Sequence, residues 1–142
     1  MSAFSAVFSK LSGDTALLAL LTGGLYDGQL VQDISRQATP AAFDAYAEMK
    51  PCGILKPESA TPWGPLPDGG RLYLVLWLYA QHDYAALDAA RERVYILLHR
   101  QQVSSAAGIF DVRHANDVLG AELPGLDVPT IASRFVVTLN RG

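Results

Sequence analysis

Cysteine is nearly absent: Cys52 is the only one in 142 residues. That excludes an internal disulfide and any metal site built on several thiolates, and it makes a reducing compartment the expectation. Net charge is also small, since 11 Lys and Arg against 14 Asp and Glu leave −3. A general nucleic-acid binder needs a basic surface, which this balance does not provide. Long hydrophobic runs are missing; the longest, within Leu72–Ala80, is too short to cross a bilayer as a helix. The first residues show no positive segment followed by an apolar one, so no secretory signal is expected and the chain reads as soluble and cytoplasmically made. Phosphate-binding glycine motifs are lacking too: neither Gly23-Gly24 nor Gly69-Gly70 belongs to a G-x-G-x-x-G or P-loop pattern, and there is no G-x-S-x-G elbow.

What the chain has is apolar content. Half of its residues are hydrophobic, enough for a sizeable core and too much for disorder. The strongest pattern is one stretch, Arg71 to Gln102. Leu72, Leu74, Leu76 and Leu78 share one face of a strand, while Tyr73, Val75, Trp77 and Tyr79 share the other. Neither face is polar, so both need cover. Gln81-His82-Asp83 makes a turn, with Asp83 as a candidate N-cap. A helix from Tyr84 to Arg100 then carries Leu87, Ala90, Val94, Leu97 and Leu98 on one stripe, expected to fold back on the leucine face. Ile96 projects from its polar side, where a monomer has no evident use for it.

Around this unit the pattern predicts an α+β fold in a single domain, 1–142. A mostly antiparallel sheet of about four strands carries helices on one face, with long loops. Phe4, Val7, Phe8 and Leu11 mark a first helix, and Asp14 caps a second through Leu21. Leu25-Tyr26-Asp27-Gly28 is a short extended piece, and Gln29–Ala38 is strand or coil. Thr39-Pro40 predicts a helix through Phe43, Tyr46 and Ala47 that ends before Pro51. Cys52–Lys56 reads as a short strand. Pro57–Gly70 holds too much proline for a ladder and reads as a proline-rich hairpin arm or ordered loop, with Trp63 near its tip. Ile109–Ala115 is a strand with Phe110 and Val112 on one side, and Asp111 and Arg113 on the other. Asn116–Thr130 is a second long loop, and Ile131–Arg141 a closing strand.

Chemistry is sparse. Cys52 has no nucleophile signature around it and reads as a small buried hydrophobe. His82, His99 and His114 lie 17 and 15 residues apart, which matches no metal-ligand spacing. The carboxylates Asp27, Asp44, Asp83, Asp88, Asp111, Asp117, Glu122 and Asp127 are scattered, and no spacing selects an acid–base pair. No catalytic residue, metal or cofactor is expected. A small enzyme or ligand-binding domain with a pocket beside Trp77 is the alternative from another class. The aromatic strand face, Trp63 and Ile96 are the features a monomer leaves unexplained. Trp63, Tyr73, Trp77, Tyr79 and Ile96 are therefore candidates for a subunit or partner interface. The competing reading covers Trp77 and Tyr79 with the first helices and folds Trp63 onto its own loop.

Four places carry a family resemblance. They are Asp14–Leu21, an acidic-capped leucine helix; Leu25-Tyr26-Asp27-Gly28, a Tyr-Asp turn; Leu72–Arg100, strand, turn and long helix; and Ser133–Arg141, ending on Asn140-Arg141. In order and spacing they resemble the phage tail terminator and tail completion proteins, the minor tail proteins of the head–tail joint. Gln29–Gly70 is longer than the compact segment such proteins hold there. The resemblance implies a non-enzymatic virion protein, made in the host cytoplasm. It would form a ring, commonly a hexamer, that ends the tail tube and joins it to the head connector. Its implied partners are its own copies, the tail tube protein and a head connector or head completion protein. DNA would pass through the channel without specific binding, and no membrane is involved. Other head–tail joint proteins, such as a head completion protein or tail tube component, are the nearest alternative. Pro57–Gly70 and Asn116–Thr130 would be the contact loops.

Overall fold

The computed structural model describes residues 2–63, 66–82, 84–119 and 130–140. Asp83, residues 120–129 of the expected second loop, and the side chain of Trp63 lie outside that set. Two helices open the chain, α1 (Ala3–Ser12) and α2 (Thr15–Leu20). The Ser2 hydroxyl accepts from the Ser5 N–H, and the Asp14 carboxylate from the Leu17 N–H, so each helix starts at a side-chain cap. Then come β1 (Leu25–Asp27), β2 (Cys52–Trp63), β3 (Leu66–Tyr79), α3 (Tyr84–Leu98), β4 (Ile109–Leu119) and β5 (Thr130–Asn140). The strands form one five-stranded sheet in the order β1-β2-β3-β5-β4, antiparallel except for β1 against β2. This is the expected α+β class, with one more edge strand than the pattern suggested.

The leucine face of β3 is the centre of the main core. Leu74, Leu76 and Leu78 are buried against Phe4, Val7 and Leu11 of α1, Leu17 of α2, and Leu87, Ala90, Val94 and Leu98 of α3. Each such leucine contributes about 1.5–3 kcal/mol by leaving water, so this layer dominates the fold's stability. Ile131, Phe135, Val137 and Leu139 of β5 continue the same face.

The opposite face is covered differently from the expectation. Ile34, Ala42 and Met49 lie with Cys52, Ile54 and Tyr79 in a second cluster, with Tyr26, Phe43 and Trp77 packed on it. The cover is therefore the chain between β1 and β2, not the first helices. Tyr79 is 1% exposed and belongs to its own subunit's core; Tyr73 and Trp77 are half-buried. Gly28 lets this segment leave β1 closely: its N–H donates to the Leu55 carbonyl at 2.8 Å, and a Cβ would stand 2.5 Å from that oxygen.

Three expectations need correction. First, the helix predicted after Thr39-Pro40 is only a single 3-10 turn, Pro40–Ala42. The Thr39 hydroxyl donates back to the Ser35 carbonyl instead of capping, and the Asp44 carboxylate accepts from the Tyr46 and Glu48 N–H groups at 2.8 and 3.0 Å. A side chain that binds the backbone just ahead of it favours a turn over a helix.

Second, the proline-rich arm keeps its ladder. β2 pairs β3 from Cys52–Tyr79 out to Trp63–Leu66. β1 reaches only Gly53–Leu55, so the rest of β2 is an edge strand, and Pro57 and Pro62 sit at its two register irregularities. Edges and bulges are where a sheet tolerates proline.

Third, the second long loop begins later than expected, because Asn116–Leu119 still pairs with β5. β4 also breaks the alternation read from its sequence. A bulge at Phe110 leaves that ring 60% exposed while Ile109 and Val112 are both buried. One inserted residue shifts the two-residue period, so Phe110 and Val112 do not share a side.

Candidate functional site

Cys52 is 0% exposed at the start of β2, and burial pushes its thiol up to about 12. A thiol held protonated at neutral pH is a poor nucleophile. His82 is exposed and binds the Glu48 carboxylate through Nε2 at 2.6 Å, tying the turn after β3 to the β1–β2 connection. Among the described residues no group of three or more His, Cys, Asp or Glu side chains is placed to hold a metal ion.

The polar centre that does exist is one the sequence pattern did not single out. Asp117 on β4 receives three donors. Ser133 Oγ on β5 donates to Oδ1, His114 Nε2 lies 2.8 Å from the same oxygen, and Arg91 Nη1 on α3 donates to Oδ2 at 3.0 Å. Arg91 also holds Asp88 at 2.6 Å and reaches Glu92 at 3.3 Å. Burial alone would raise the Asp117 pKa, but the bonds from Ser133, His114 and Arg91 outweigh it and hold the carboxyl below its ordinary value. A second bulge, between His114 and Asn116, makes this possible. Three residues apart on a regular strand, His114 and Asp117 would face opposite ways; the extra residue brings both to the helical side.

The arrangement holds serine, histidine and aspartate, but not in a catalytic order. The hydroxyl and the imidazole both point to the carboxylate rather than to one another, so His114 is not placed to take the Ser133 proton as a triad histidine does. The centre binds α3, β4 and β5 together. Above it Arg91, Glu92, Tyr95, His114, Asp117 and Ser133 line a hollow of about 170 Å³. Tyr95 stacks on His99 at 4.6 Å and meets His114 edge-on at 5.4 Å. His99 Nδ1 accepts from the His114 N–H at 2.9 Å, and Val112 bonds Arg100 and Gln101, so this part of the β4 edge is capped.

The surface carries isolated apolar groups. Ile96 is 62% exposed on α3, as its helical position indicated. Leu30 and Tyr46, at 84% and 86%, are exposed on the β1–β2 connection. Periodicity predicts a helix face for Tyr46; the signal against it is Asp44, an acid two residues ahead in a position to form a turn.

No protein-family model and no curated protein matches the sequence. The fold does match a solved structure. One chain of a structure described as the virion of a native gene transfer agent particle superposes with a TM-score of 0.73 at 17% identity, covering 98% of this chain and 95% of that one. At that identity the likeness shows a shared fold, and it spans helices, sheet and connection alike.

Proposed function

We propose that this protein is a structural component of a phage-like virion, and within it a ring that ends the tail tube and joins it to the head connector. The observation that carries the reading is the fold shared over nearly the whole chain with a component of a gene transfer agent virion. The order of the acidic-capped helix, the Tyr-Asp turn, the strand–helix unit and the closing strand supports the tail-terminator role. Its partners are then further copies of itself, probed first as a hexamer, the tail tube protein, and a head connector or head completion protein. DNA passes without specific binding, which the charge of −3 suits. The role needs no catalysis, and the Asp117 centre serves rigidity rather than turnover. Ile96, the half-buried Tyr73 and Trp77, and Trp63 on the arm remain the interface candidates, whereas Tyr79 belongs to the subunit's interior.

Electron microscopy of the purified protein, alone and mixed with tails that lack their terminator, tests this. The expected images show rings in end view and capped tails in side view. A protein that neither forms rings nor binds such tails overturns the reading.

A further inference from the structure

Two surface features stand open in a single copy, and they fit one another. The first is the tight loop between the paired residues Phe43 and Met49. The Asp44 N–H donates to the Glu48 carbonyl at 2.9 Å, and the Ala47 N–H to the Asp44 carbonyl at 3.0 Å. Arg36 Nη2 donates to the Ala47 carbonyl at 3.1 Å, and its guanidinium lies over the Phe43 ring. On this cross-linked loop Tyr46 stands 86% exposed. An aromatic side chain on a fixed loop loses little freedom when it docks, which is the economy of an interface anchor.

The second feature is the hollow over Asp117. Its volume of about 170 Å³ compares with the cavity of about 150 Å³ that takes up a benzene ring. Tyr95 and His114 meet at 74° in its wall, which leaves ring edges and faces for a third aromatic. The Glu92 carboxylate at its side is an acceptor for a phenol hydroxyl. Ile96 lies one turn further along the same helix face and supplies apolar surface beside it.

We propose that Tyr46 of one copy seats in the Tyr95–His114 hollow of the next. The loop belongs to the cover on the face away from the helices, while the hollow opens between α3 and the β4–β5 pair on the helical face. The sheet stands between them, so a copy cannot fill its own hollow, and the contact is head-to-tail. Such contacts close into rings when the rotation per copy allows. The inference rests on the ring reading above and gives that ring its neighbour contact.

Two variants test it: Tyr46→Ala removes the knob, and Glu92→Trp covers the hollow from a side chain that is 64% exposed. Both positions are on the surface, and the melting temperature of each variant is the check that it folds. Association is followed by sedimentation velocity, and by binding to terminator-less tails if the protein assembles only there. Each variant is expected to weaken association by at least about 30-fold. An equimolar mixture of the two is expected to give dimers and nothing larger, because each pair then has one intact knob facing one intact hollow. Rings of wild-type strength from both variants, or a mixture that stays monomeric, overturn the knob contact and leave the ring standing. Wild-type protein that stops at dimers, lost in both variants and restored in the mixture, keeps the Tyr46 contact only as a reciprocal pair and overturns both the head-to-tail arrangement and the ring. Wild-type protein that never associates, alone or on tails, overturns both.

Discussion

Replacing Asp117 by alanine strips one carboxylate from three donors at once. Ser133 is 1% exposed, so its hydroxyl is left buried without its acceptor, at about 1–3 kcal/mol. Arg91 suffers less. Its side chain is 24% exposed and keeps Asp88 and Glu92, so the full penalty of about 3–5 kcal/mol for breaking a buried pair does not apply. The expected loss for Asp117→Ala is therefore about 3 kcal/mol, a fall of about 6–12 °C in melting temperature for a domain of this size. Ser133→Ala removes one donor and leaves the carboxylate two others, so about 1 kcal/mol is expected. The pH dependence has a definite sign. Asp117's pKa is lowered by folding, so its contribution is present above the ordinary carboxylate value and is lost as pH falls through the folded one. The gap between wild type and Asp117→Ala should thus close in acid. Urea titrations of wild type, Asp117→Ala and Ser133→Ala at two pH values measure all of this, with unchanged m-values as the check on two-state behaviour. A loss of no more than about 0.5 kcal/mol, the usual surface value, would refute the reasoning. So would a Ser133→Ala loss equal to that of Asp117→Ala.

The Phe110 bulge predicts that Phe110→Ser changes stability by no more than about 0.5 kcal/mol, while Ile109→Ala costs about 2–5 kcal/mol; denaturant midpoints that reverse this order would show that the strand has regular alternation. Arg93 Nε and Nη2 each bond Asp14 at 2.8 Å, and that pairing holds the Asp14 carboxyl down at about 2. Asp14→Asn keeps a capping side chain but loses the charge. It should lower the melting temperature near neutral pH, and the deficit should shrink as pH falls from the ordinary carboxylate value toward that of the folded protein; an equal deficit in acid would count against the ion pair. Trp63→Ala should leave monomer stability within about 1 kcal/mol and weaken tail capping by about 2 kcal/mol or more; a variant that melts much earlier yet still caps tails would show that Trp63 packs in its own subunit.

Local pattern was enough for the elements whose pattern is strong. Leucines at every second position specify a strand with one apolar face, and Leu87, Ala90, Val94 and Leu98 specify the helix that covers it. Asp14 could be read as a cap from its place before a leucine run. These inferences hold because side-chain period and capping depend on neighbours within a few residues. The elements that depart from their local pattern depend on competition or on distant partners. Thr39-Pro40 carries a helix-start signal, but Asp44 captures the backbone ahead of it and wins. Pro57 and Pro62 argue against a strand until it is known that β2 is an edge there.

The site was least legible. Arg91, Asp117 and Ser133 come from a helix and two strands, and nothing in one element announces the others. Two β4 bulges decide which residues face which way: one turns Phe110 outward, and the other sets His114 beside Asp117. A bulge is an agreement between two strands about register, and one strand's sequence does not record it. By itself, then, the sequence determined the apolar faces, the main helices and the α+β class, because these follow from local periodicity. Only the tertiary structure decided what covers Tyr79, where Tyr46 stands and that Asp117 gathers its three donors, because these depend on strand register and on groups far apart in the chain.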